Sequence, residues 1–358
     1  MRILFDGYHW LDGPPSGRLT VREMVAAWQR CFDDDVLVAL PRRPDAAEEA
    51  ALLAAGAHWC RTYLPTHPLR TGLELAVRSR SVDWVIGANF SPWWGPSSVF
   101  LHDAIFRTSP EWFGRVERMY LSLYPPLSRR ARVRFTSSRS ERDRLEREYP
   151  ALRPVRPVGL GVSRKLRDVT PIPVAGLTPG RFWLSVGRLN ARKNLGRAIA
   201  AAVASGAVDP ERPLVVVGER DGREERTDPT VERACADGSV RHTGRVTPAE
   251  LSWLYRHASR FVYLSLDEGY GLPPLEALAF GTPVVVSDIP VFHETLGAVE
   301  GVRYVDPRDD RSIARAFAEP VERLYLPAAP PSWDDTVRAM RAVLASSEKF
   351  TAATKEAQ

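Results

Sequence analysis

The chain has 358 residues but only three cysteines, Cys31, Cys60 and Cys235. Their odd number and wide separation match neither a metal site nor a redox pair. We expect three reduced and mostly buried thiols, because free cysteine behaves as a small apolar side chain. This usage indicates a reducing compartment.

Long apolar runs are also missing, and none approaches the roughly 20 residues that cross a bilayer. The first residues, MRILFDG, hold a short apolar stretch closed by Asp6, which predicts a strand rather than a signal peptide. The expected location is therefore the cytoplasm. No Gly-x-Gly-x-x-Gly follows this strand, which argues against a dinucleotide-binding oxidoreductase.

Positive charge is in excess only in the first half of the chain. Residues 1–165 hold 25 Lys and Arg against 18 Asp and Glu, whereas residues 166–358 hold 24 against 26. The excess is densest in residues 128–148, where acids interleave with arginines. A solvated helix face with i,i+4 pairs is the first interpretation. Peripheral contact with an anionic membrane, at the inner face of the cell membrane, is the second. Nucleic acid is a distant third, because no nucleic-acid-binding motif is present.

Apolar runs alternate with helical patterns along the whole chain, which predicts parallel sheets covered by helices. Runs such as VVV without polar alternation suit strands buried on both faces. Helices are expected around residues 18–30, 45–55, 110–128 and 138–147 in the first half. The expected strands are RILFD, DVLVAL, DWVIGA, SVFLHD, RVRFTS, RFWLSVG, PLVVVGE, RFVYLSL, TPVVVSD and VRYV.

A proline-rich stretch without periodicity, residues 163–180, predicts a linker between two domains. We expect an α/β protein with two doubly wound, Rossmann-like domains, residues 1–165 and 166–330, that face a central cleft. Residues 331–358 form a C-terminal helix and a frayed tail in this prediction. In such sheets ligands bind outside the carboxyl ends of the strands, and the domains would close by a hinge at the linker.

Residues 267–288, DEGYGLPPLEALAFGTPVVVSD, combine two acids with glycines and a double proline. Proline has no N–H, so the amides left to meet an anion at the start of the helix are those of Gly269, Tyr270, Gly271 and Leu272. The carboxylates of Glu268 and Glu276 would repel phosphate but suit hydroxyl groups on either side of a diphosphate. The alternatives are a helix-dipole contact for Glu276 and a solvated loop position for Glu268.

Residues 185–194, SVGRLNARKN, place Arg188 and Lys193 after another predicted strand. Two cations there would neutralise a leaving diphosphate. The chain has 45 arginines and 4 lysines, so a lysine beside Arg192 suggests a need for a compact ammonium group. For Arg192 itself a solubilising role stays open.

Three further stretches carry weaker signals. FLHDAIF brings His102 and Asp103 to a strand end, where His102 is as often structural as functional and Asp103 either orients its ring or caps the next turn. Ser16 and Gly17 lie where Gly17 is expected to open the first long helix. In VRHTGRVTPAELSWLYRHAS, Trp253 and Tyr255 have the helical spacing of core residues.

The stretch EGYGLPPLEALAFGTPVVVSD closely resembles the EX7E region of retaining, GT-B-fold glycosyltransferases of family 4. The resemblance implies that Glu276 binds the ribose of a sugar nucleotide, that Glu268 lies at the transferred sugar, and that amides around Gly271 and Leu272 meet the diphosphate. It implies a phosphate clamp of Arg188 and Lys193. The remaining implied contacts are His102 beside the sugar and acceptor, Ser16 and Gly17 near the donor phosphates, and the backbone of Gly244, Arg245 and Val246 at the nucleobase.

The sequence departs from the family pattern at Leu264, where proline is frequent, and in SGRL, which shortens the usual SGIG-like spelling. The family implies a metal-independent hexosyltransferase without cofactor, whose substrate is a nucleotide diphosphate sugar. The His–Asp spelling leans toward mannosyl or rhamnosyl donors, GDP-mannose among them, and toward polysaccharide or glycoconjugate biosynthesis. The acceptor would be a saccharide, a lipid-linked molecule or a small molecule.

Four other functions compete with this interpretation of the sequence. A glycosyltransferase of secondary metabolism and a non-catalytic, glycosyltransferase-like binding subunit stay open as alternatives. A nucleotide-sugar epimerase lacks the further acid and base residues that it needs. A dinucleotide-binding oxidoreductase is disfavoured because no Gly-x-Gly-x-x-Gly follows the first strand.

Overall fold

The structure is a computed structural model that describes residues 1–11, 13–219, 229–297, 299, 302–319 and 330–356. The chain forms two compact units. Unit 1 comprises Met1–Arg107, Val116–Gly161 and Pro331–Gln358, and unit 2 comprises Thr108–Arg115 and Val162–Pro330.

Unit 1 is built on a seven-stranded sheet in which every recorded strand pair is parallel. The strand order is β3-β2-β1-β4-β5-β6-β7. Its strands are β1 (Arg2–Asp6), β2 (Asp35–Leu40), β3 (His58–Arg61), β4 (Trp84–Ala88), β5 (Ser97–Leu101), β6 (Val133–Thr136) and β7 (Val155–Pro157).

Unit 2 has a six-stranded parallel sheet of order β10-β9-β8-β11-β12-β13. Its strands are β8 (Trp183–Val186), β9 (Leu214–Val217), β10 (Val240–Gly244), β11 (Arg260–Tyr263), β12 (Val284–Ser287) and β13 (Val302–Val305). Phe261 and Tyr263 enter one buried cluster, whereas Val262 and Leu264 enter the other. The sheet is thus buried on both faces, as the unbroken apolar runs predicted.

Both sheets contain the 3-2-1-4-5-6 order of the Rossmann fold, so the prediction of two Rossmann-like domains is confirmed. The helices are α1 (Tyr8–Leu11), α2 (Pro15–Cys31), α3 (Ala46–Ala54), α4 (His67–Leu69), α5 (Leu75–Arg78), α6 (Ile105–Thr108), α7 (Arg115–Leu121), α8 (Tyr124–Leu127), α9 (Arg139–Glu148), α10 (Arg164–Asp168), α11 (Leu195–Ala204), α12 (Pro229–Asp237), α13 (Pro248–His257), α14 (Leu272–Ala279), α15 (Pro290–Leu296), α16 (Asp310–Ala318) and α17 (Trp333–Glu356). A π-turn, Arg70–Glu74, joins α4 to α5, and short 3-10 turns cover Ser79–Ser81, Pro110–Trp112, Pro150–Leu152 and Ala191–Lys193.

The ten predicted strands all exist, but β3, β7 and β10 were not predicted as strands. These three lie at sheet edges, and an edge strand shows less of the continuous apolar pattern of a buried one. The single helix expected over residues 110–128 is broken into a 3-10 turn, α7 and α8, and the prolines at 125 and 126 lie inside α8. The predicted linker begins with the short helix α10.

The C-terminal helix α17 packs on α2 in unit 1. Arg30 Nη2 lies 2.7 Å from Asp334 Oδ1, and Arg341 Nε lies 2.9 Å from Asp34 Oδ2. The last part of the sequence therefore completes the first unit rather than extending the second.

The thiols are less buried than the sequence suggested: Cys31 and Cys60 are half-buried and Cys235 is exposed. Cys235 lies on α12, whose only buried side chain is Ala234, so the helix turns its cysteine outward.

The basic stretch on α9 is a solvated face whose arginines pair with acids of the same helix. Its pairs include Arg142–Asp143 at 2.8 Å, between adjacent residues, and Arg144–Glu141 at 3.1 Å, three residues apart.

Candidate functional site

The candidate site lies at the carboxyl edge of the unit 2 sheet, where β8 and β11 are neighbours and the strand order reverses. Ligands of doubly wound proteins bind at this switch point. The loop after β8 carries Arg188, Arg192 and Lys193, and the loop after β11 carries Glu268. Two loops 75 positions apart in sequence thus meet at one edge.

Glu268 pairs with two cations at once. Its Oε1 lies 2.6 Å from Lys193 Nζ and its Oε2 lies 2.8 Å from Arg192 Nη1. The Lys193 and Arg192 side chains are each 14% exposed and that of Glu268 is 9% exposed, so these contacts are shielded from water. Lys193 also donates to the Tyr263 hydroxyl and lies 4.4 Å from the centre of its ring.

The backbone holds the two loops together. The Leu266 amide donates to the Arg192 carbonyl at 2.8 Å, and Arg192 Nη1 donates to the Asp267 carbonyl at 2.7 Å. These bonds fix the guanidinium and the ammonium relative to the loop that carries Glu268. A solubilising role for Arg192, which the sequence left open, is therefore wrong, because its guanidinium pairs with Glu268 and bonds to the Asp267 carbonyl.

Burial and charge set the protonation states of the cluster. Burial lowers the pKa of Lys193 to about 8, the charges of Arg192 and Arg188 act in the same direction, and Glu268 opposes them. Burial alone would raise the pKa of Glu268, but Arg192 and Lys193 hold it well below its usual range. At neutral pH the cluster therefore combines an ionised carboxylate with cations that exceed it in charge.

Helix α14 begins next to this cluster, with Gly271 as its N-cap at φ 86°. A Cβ at Gly271 would lie 2.3 Å from Phe292 Cε1, so only glycine fits this left-handed, crowded position. Pro273 and Pro274 supply no N–H in the first turn. The amides of Gly271 and Leu272 have no helical carbonyl to bond, which leaves them suited to an anion. The predicted start of this helix and its end before Gly281 are confirmed.

Glu276 lies on α14 and is only 8% exposed. Its Oε2 accepts a hydrogen bond of 2.8 Å from the Tyr255 hydroxyl, which comes from α13. Burial, together with the charge of Glu276, raises the pKa of Tyr255 well above its usual value. Tyr255 is a core residue, as the helical spacing predicted, but its hydroxyl also orients Glu276, and nothing in the sequence of α13 indicated that contact.

The predicted nucleobase-binding backbone follows β10. The Gly218 amide donates to the Gly244 carbonyl at 3.0 Å, and Arg245 forms an exposed ion pair of 2.8 Å with Glu219. Val246 packs against the unit 2 core. Strands β10 and β8 are separated by β9, so this backbone lies at the same sheet edge as the cluster but two strands away.

Two sequence-predicted groups belong to unit 1. His102 follows β5; its amide donates to Asn89 Oδ1 at 3.2 Å, and its ring contacts Phe100. Burial, with a small contribution from His9, lowers the pKa of His102 to about 3, so the ring is neutral at physiological pH. Asp103 Oδ1 accepts from the Ile105 amide at 3.2 Å, which is the capping role.

Ser16 is exposed and Gly17 is buried in the first turn of α2. The helix begins at Pro15, so Gly17 does not open it, contrary to the prediction, because proline is well suited to the first helical position. A Cβ at Gly17 would lie 3.3 Å from the His9 ring, which gives a packing reason for the glycine.

Two features are absent from the residues that the structure describes. No group of three or more His, Cys, Asp or Glu side chains that could hold a metal ion occurs among them. In the same residues, no helix combines the length and the apolar character that a bilayer-spanning segment needs.

Residues 176–323 match the family described as "Glycosyl transferases group 1". Over 224 residues the chain is 34% identical to O-antigen chain mannosyltransferase B of Escherichia coli, an alignment that covers 60% of this chain and 58% of that protein. Over 273 residues it is 27% identical to the GDP-mannose:cellobiosyl-diphosphopolyprenol alpha-mannosyltransferase of Xanthomonas oryzae pv. oryzae, covering 73% and 69%.

A shorter stretch of 63 residues is 57% identical to the O-antigen chain mannosyltransferase RfbU of Salmonella typhimurium, covering 18% of this chain and 17% of that protein. The chain thus spans less than two thirds of the length of RfbU and of mannosyltransferase B. Among solved structures, HepE of Anabaena in complex with UDP and glucose superposes over 100% of both chains, with a TM-score of 0.64 at 14% identity. At that identity the likeness shows the fold, which is GT-B with two Rossmann-like domains.

Proposed function

We propose that the chain is a retaining hexosyltransferase, and the match of residues 176–323 to the glycosyl transferases group 1 family supports this proposal. It transfers a mannosyl unit from a nucleotide diphosphate sugar, with GDP-mannose as the first candidate, to a hydroxyl of an acceptor. The names of two relatives, one an O-antigen chain mannosyltransferase and one a GDP-mannose-dependent enzyme, support this choice of sugar and donor.

The observation that carries the proposal is the cluster of Arg192, Lys193 and Glu268 beside the start of α14. A diphosphate needs positive charge and N–H donors, and both are found here in a largely water-excluded place. A hexose and a ribose need acceptors for their hydroxyls, which Glu268 and Glu276 supply. The cluster and the start of α14 thus offer complementary groups to the diphosphate, the hexose and the ribose of a sugar nucleotide.

In the ligand-free protein Glu268 serves as the counter-ion of the two cations. When the donor binds, its diphosphate takes over Arg192 and Lys193, with Arg188 as the third positive charge. Glu268 is then free to accept a hydroxyl of the hexose. Glu276, already oriented by Tyr255, accepts from the ribose, and the amides of Gly271 and Leu272 donate to the diphosphate.

The transfer step is a front-face substitution. The bond between the anomeric carbon and the phosphate oxygen breaks, and the acceptor oxygen bonds to the same face of that carbon. The acceptor proton passes to a phosphate oxygen of the leaving nucleoside diphosphate. Arg188, Arg192 and Lys193 stabilise the charge that develops there, so no metal ion is assigned to this step.

The other predicted residues receive supporting roles. The backbone of Gly244, Arg245 and Val246 is assigned to the nucleobase, and that of Gly269 and Tyr270 to the sugar and diphosphate. Ser16 and Gly17 are assigned to the donor phosphates. His102 is assigned to the acceptor side, where its neutral ring would exchange hydrogen bonds without carrying charge.

The proposed setting is the synthesis of a surface polysaccharide or another glycoconjugate, with the enzyme at the cytoplasmic side of the membrane and a saccharide or lipid-linked acceptor. Secondary metabolism, with a small-molecule acceptor, is the alternative setting.

A thermal-shift screen against UDP-, GDP-, ADP- and dTDP-sugars tests the choice of donor. A ligand at one hundred times its Kd stabilises the folded protein by about 2.7 kcal/mol, so the correct donor should raise Tm clearly above the others. We expect GDP-mannose to give the largest shift and to release GDP slowly by hydrolysis or transfer. Binding without any turnover, even in the presence of candidate acceptors, would instead favour a non-catalytic subunit.

The role of the cluster is tested by Lys193→Ala, which should lower kcat for transfer far more than it raises KM, because the charge acts mainly on the leaving diphosphate. Lys165→Ala, a change of the same type at an exposed position of α10, is the control and should leave both constants unaltered. Unchanged turnover in Lys193→Ala would remove the assigned role of Lys193.

A further inference from the structure

Tyr263, the last residue of β11, places a phenol ring and its hydroxyl beside the charged cluster of unit 2. The residue is 4% exposed, and a buried tyrosine hydroxyl normally has a hydrogen-bond partner. Here the Lys193 ammonium donates to the hydroxyl oxygen, and Nζ lies 4.4 Å from the centre of the ring. One tyrosine thus supplies both an acceptor and an aromatic face to the same cation.

The order of donors and acceptors around this hydroxyl is fixed by chemistry. A lysine ammonium only donates and an ionised carboxylate only accepts, so a hydroxyl between them accepts from the first and donates to the second. Burial, with the charge of Glu268 and a hydrogen bond to its carboxylate, raises the pKa of Tyr263 well above its usual value. The phenol therefore keeps its proton, and the hydrogen bonds run from Lys193 through Tyr263 to Glu268.

Packing holds the Tyr263 ring in place. The ring meets that of Phe292 edge to face, with centroids 6.0 Å apart, and both side chains belong to the same buried cluster. The backbone after β8 adjoins the ring, because a Cβ at Gly187 would lie 3.6 Å from Lys193 Cε and 3.7 Å from Tyr263 Cε2. The lysine stem and the ring therefore lie side by side, and core packing keeps the hydroxyl at a fixed point of the site.

The other groups that face the Lys193 ammonium are charged. Glu268 Oε1 lies 2.6 Å from Nζ. Burial is the main cause that lowers the pKa of Lys193 to about 8, Arg192 and Arg188 act in the same direction, and Glu268 opposes them. The Tyr263 oxygen acts in the direction of Glu268, because accepting from the ammonium favours its charged form. Unlike the carboxylate, this neutral acceptor has no charge that a bound diphosphate would repel.

We propose that Tyr263 is a positioning residue: its hydroxyl oxygen and its ring hold the Lys193 ammonium in the site when Glu268 leaves that cation for the hexose. This inference rests on the proposed function, in which Lys193 acts on the leaving diphosphate. Lysine carries a point charge on a long flexible stem, and a charge stabilises a leaving group best when it is held in place beforehand. Tyr263 acts through Lys193 and not by contact with the donor.

A titration of Lys193 in the ligand-free protein tests the contact without donor, acceptor or turnover. The chain has 4 lysines, so a carbon-13 label at lysine Cε gives few magnetic resonance signals, and the one that Lys193→Arg removes belongs to Lys193. Tyr263→Phe removes the hydroxyl and keeps the ring. Its Lys193 titration midpoint should lie roughly one pH unit below that of the wild type.

Steady-state transfer measures the consequence for the reaction. Tyr263→Phe should lower kcat by roughly tenfold with little change in KM for the donor, and kcat/KM should begin its alkaline fall about one pH unit lower. In the Lys193→Ala background the same change should alter kcat by less than about twofold, because the effects of two residues that act as one unit are not additive.

Tyr304→Phe is the matched control. The Tyr304 hydroxyl donates to the Phe292 carbonyl at 3.3 Å, so this change also removes one hydroxyl bond in unit 2, beside the aromatic neighbour of Tyr263. Its Lys193 titration midpoint and its kcat should be those of the wild type.

Two results would each overturn the proposal. The first is a Lys193 titration midpoint in Tyr263→Phe that equals that of the wild type. The second is an equal loss of kcat from Tyr263→Phe in the wild-type and Lys193→Ala backgrounds, since the hydroxyl would then act independently of the lysine. A wild type that transfers no sugar, with a Lys193 midpoint still lowered in Tyr263→Phe, would support the hold of Tyr263 on Lys193 and refute only the proposed function.

Discussion

Replacing Glu268 by glutamine removes the carboxylate that pairs with both Arg192 and Lys193. Both contacts are largely shielded from water, at 2.8 Å and 2.6 Å. Loss of one partner from a buried ion pair costs about 3–5 kcal/mol. In a domain of the size of unit 2 this corresponds to a decrease of roughly 10 °C in Tm.

Binding of a nucleoside diphosphate should change in the opposite direction. In the wild type the diphosphate has to displace the Glu268 carboxylate from the two cations, whereas in Glu268→Gln that competing negative charge is removed. A charge-assisted hydrogen bond is worth about 1.5–3 kcal/mol, so we expect the variant to bind GDP roughly ten- to a hundredfold more tightly. Transfer should nevertheless slow, because the hexose exchanges a charged acceptor for the weaker, neutral acceptor of the glutamine amide.

Isothermal titration calorimetry with GDP, beside thermal unfolding with and without GDP, measures both effects. Glu232→Gln, at an exposed position of α12, controls for the loss of one negative charge. Weaker GDP binding by Glu268→Gln than by the wild type would refute the counter-ion role, since the carboxylate would then be helping the diphosphate to bind. An unaltered Tm would refute the prediction that loss of the two ion pairs destabilises the folded protein.

Three further predictions follow from the same site. Lys193 is charged below its pKa of about 8 and neutral above it, so kcat/KM should fall as pH rises through that value. Lys193→Arg should retain activity at higher pH, because arginine stays charged. If kcat/KM of Lys193→Arg fell at the same alkaline pH as that of the wild type, the assignment to Lys193 would be contradicted. Tyr255→Phe should raise KM for the donor by roughly tenfold with little change in kcat, because Glu276 loses the hydroxyl that orients it. Tyr63→Phe, at an exposed position, is the control in the same steady-state assay. Gly271→Ala should destabilise unit 2 by roughly 2–4 kcal/mol in chemical denaturation, since φ is positive and the new Cβ meets Phe292. Gly114→Ala is the control and should leave the free energy of unfolding unaltered, because Gly114 has open space around it.

The sequence by itself determined the class of fold and the local form of the site. Unbroken apolar runs such as VVVS predict strands buried on both faces, and those strands exist as β8, β9, β11 and β12. The start of α14 was readable because glycine and proline restrict the backbone through their own covalent structure. Such preferences act within a few residues, so no distant partner is needed to infer them.

Which charges meet could not be inferred from the sequence, because it depends on the order of the strands in the sheet. Glu268 and Lys193 are 75 positions apart, and their contact depends on β8 lying beside β11 in the sheet. The sequence therefore suggested separate roles for Lys193 and Glu268 and left a solubilising role open for Arg192, although all three form one cluster. The Tyr255 hydroxyl was likewise hidden within the core pattern of α13.

Exposure was the other property that the sequence did not determine. The leucines at 69 and 73 are exposed, although their spacing serves equally well for burial. The face turned inward carries the buried Leu75 and Ala76 together with His67 and Thr71, which bond to Asp6. The C-terminal helix similarly packs on α2, about 300 positions away. The covalent structure of a residue constrains its own backbone conformation. Its burial and its pairing depend instead on which distant parts of the chain pack against it.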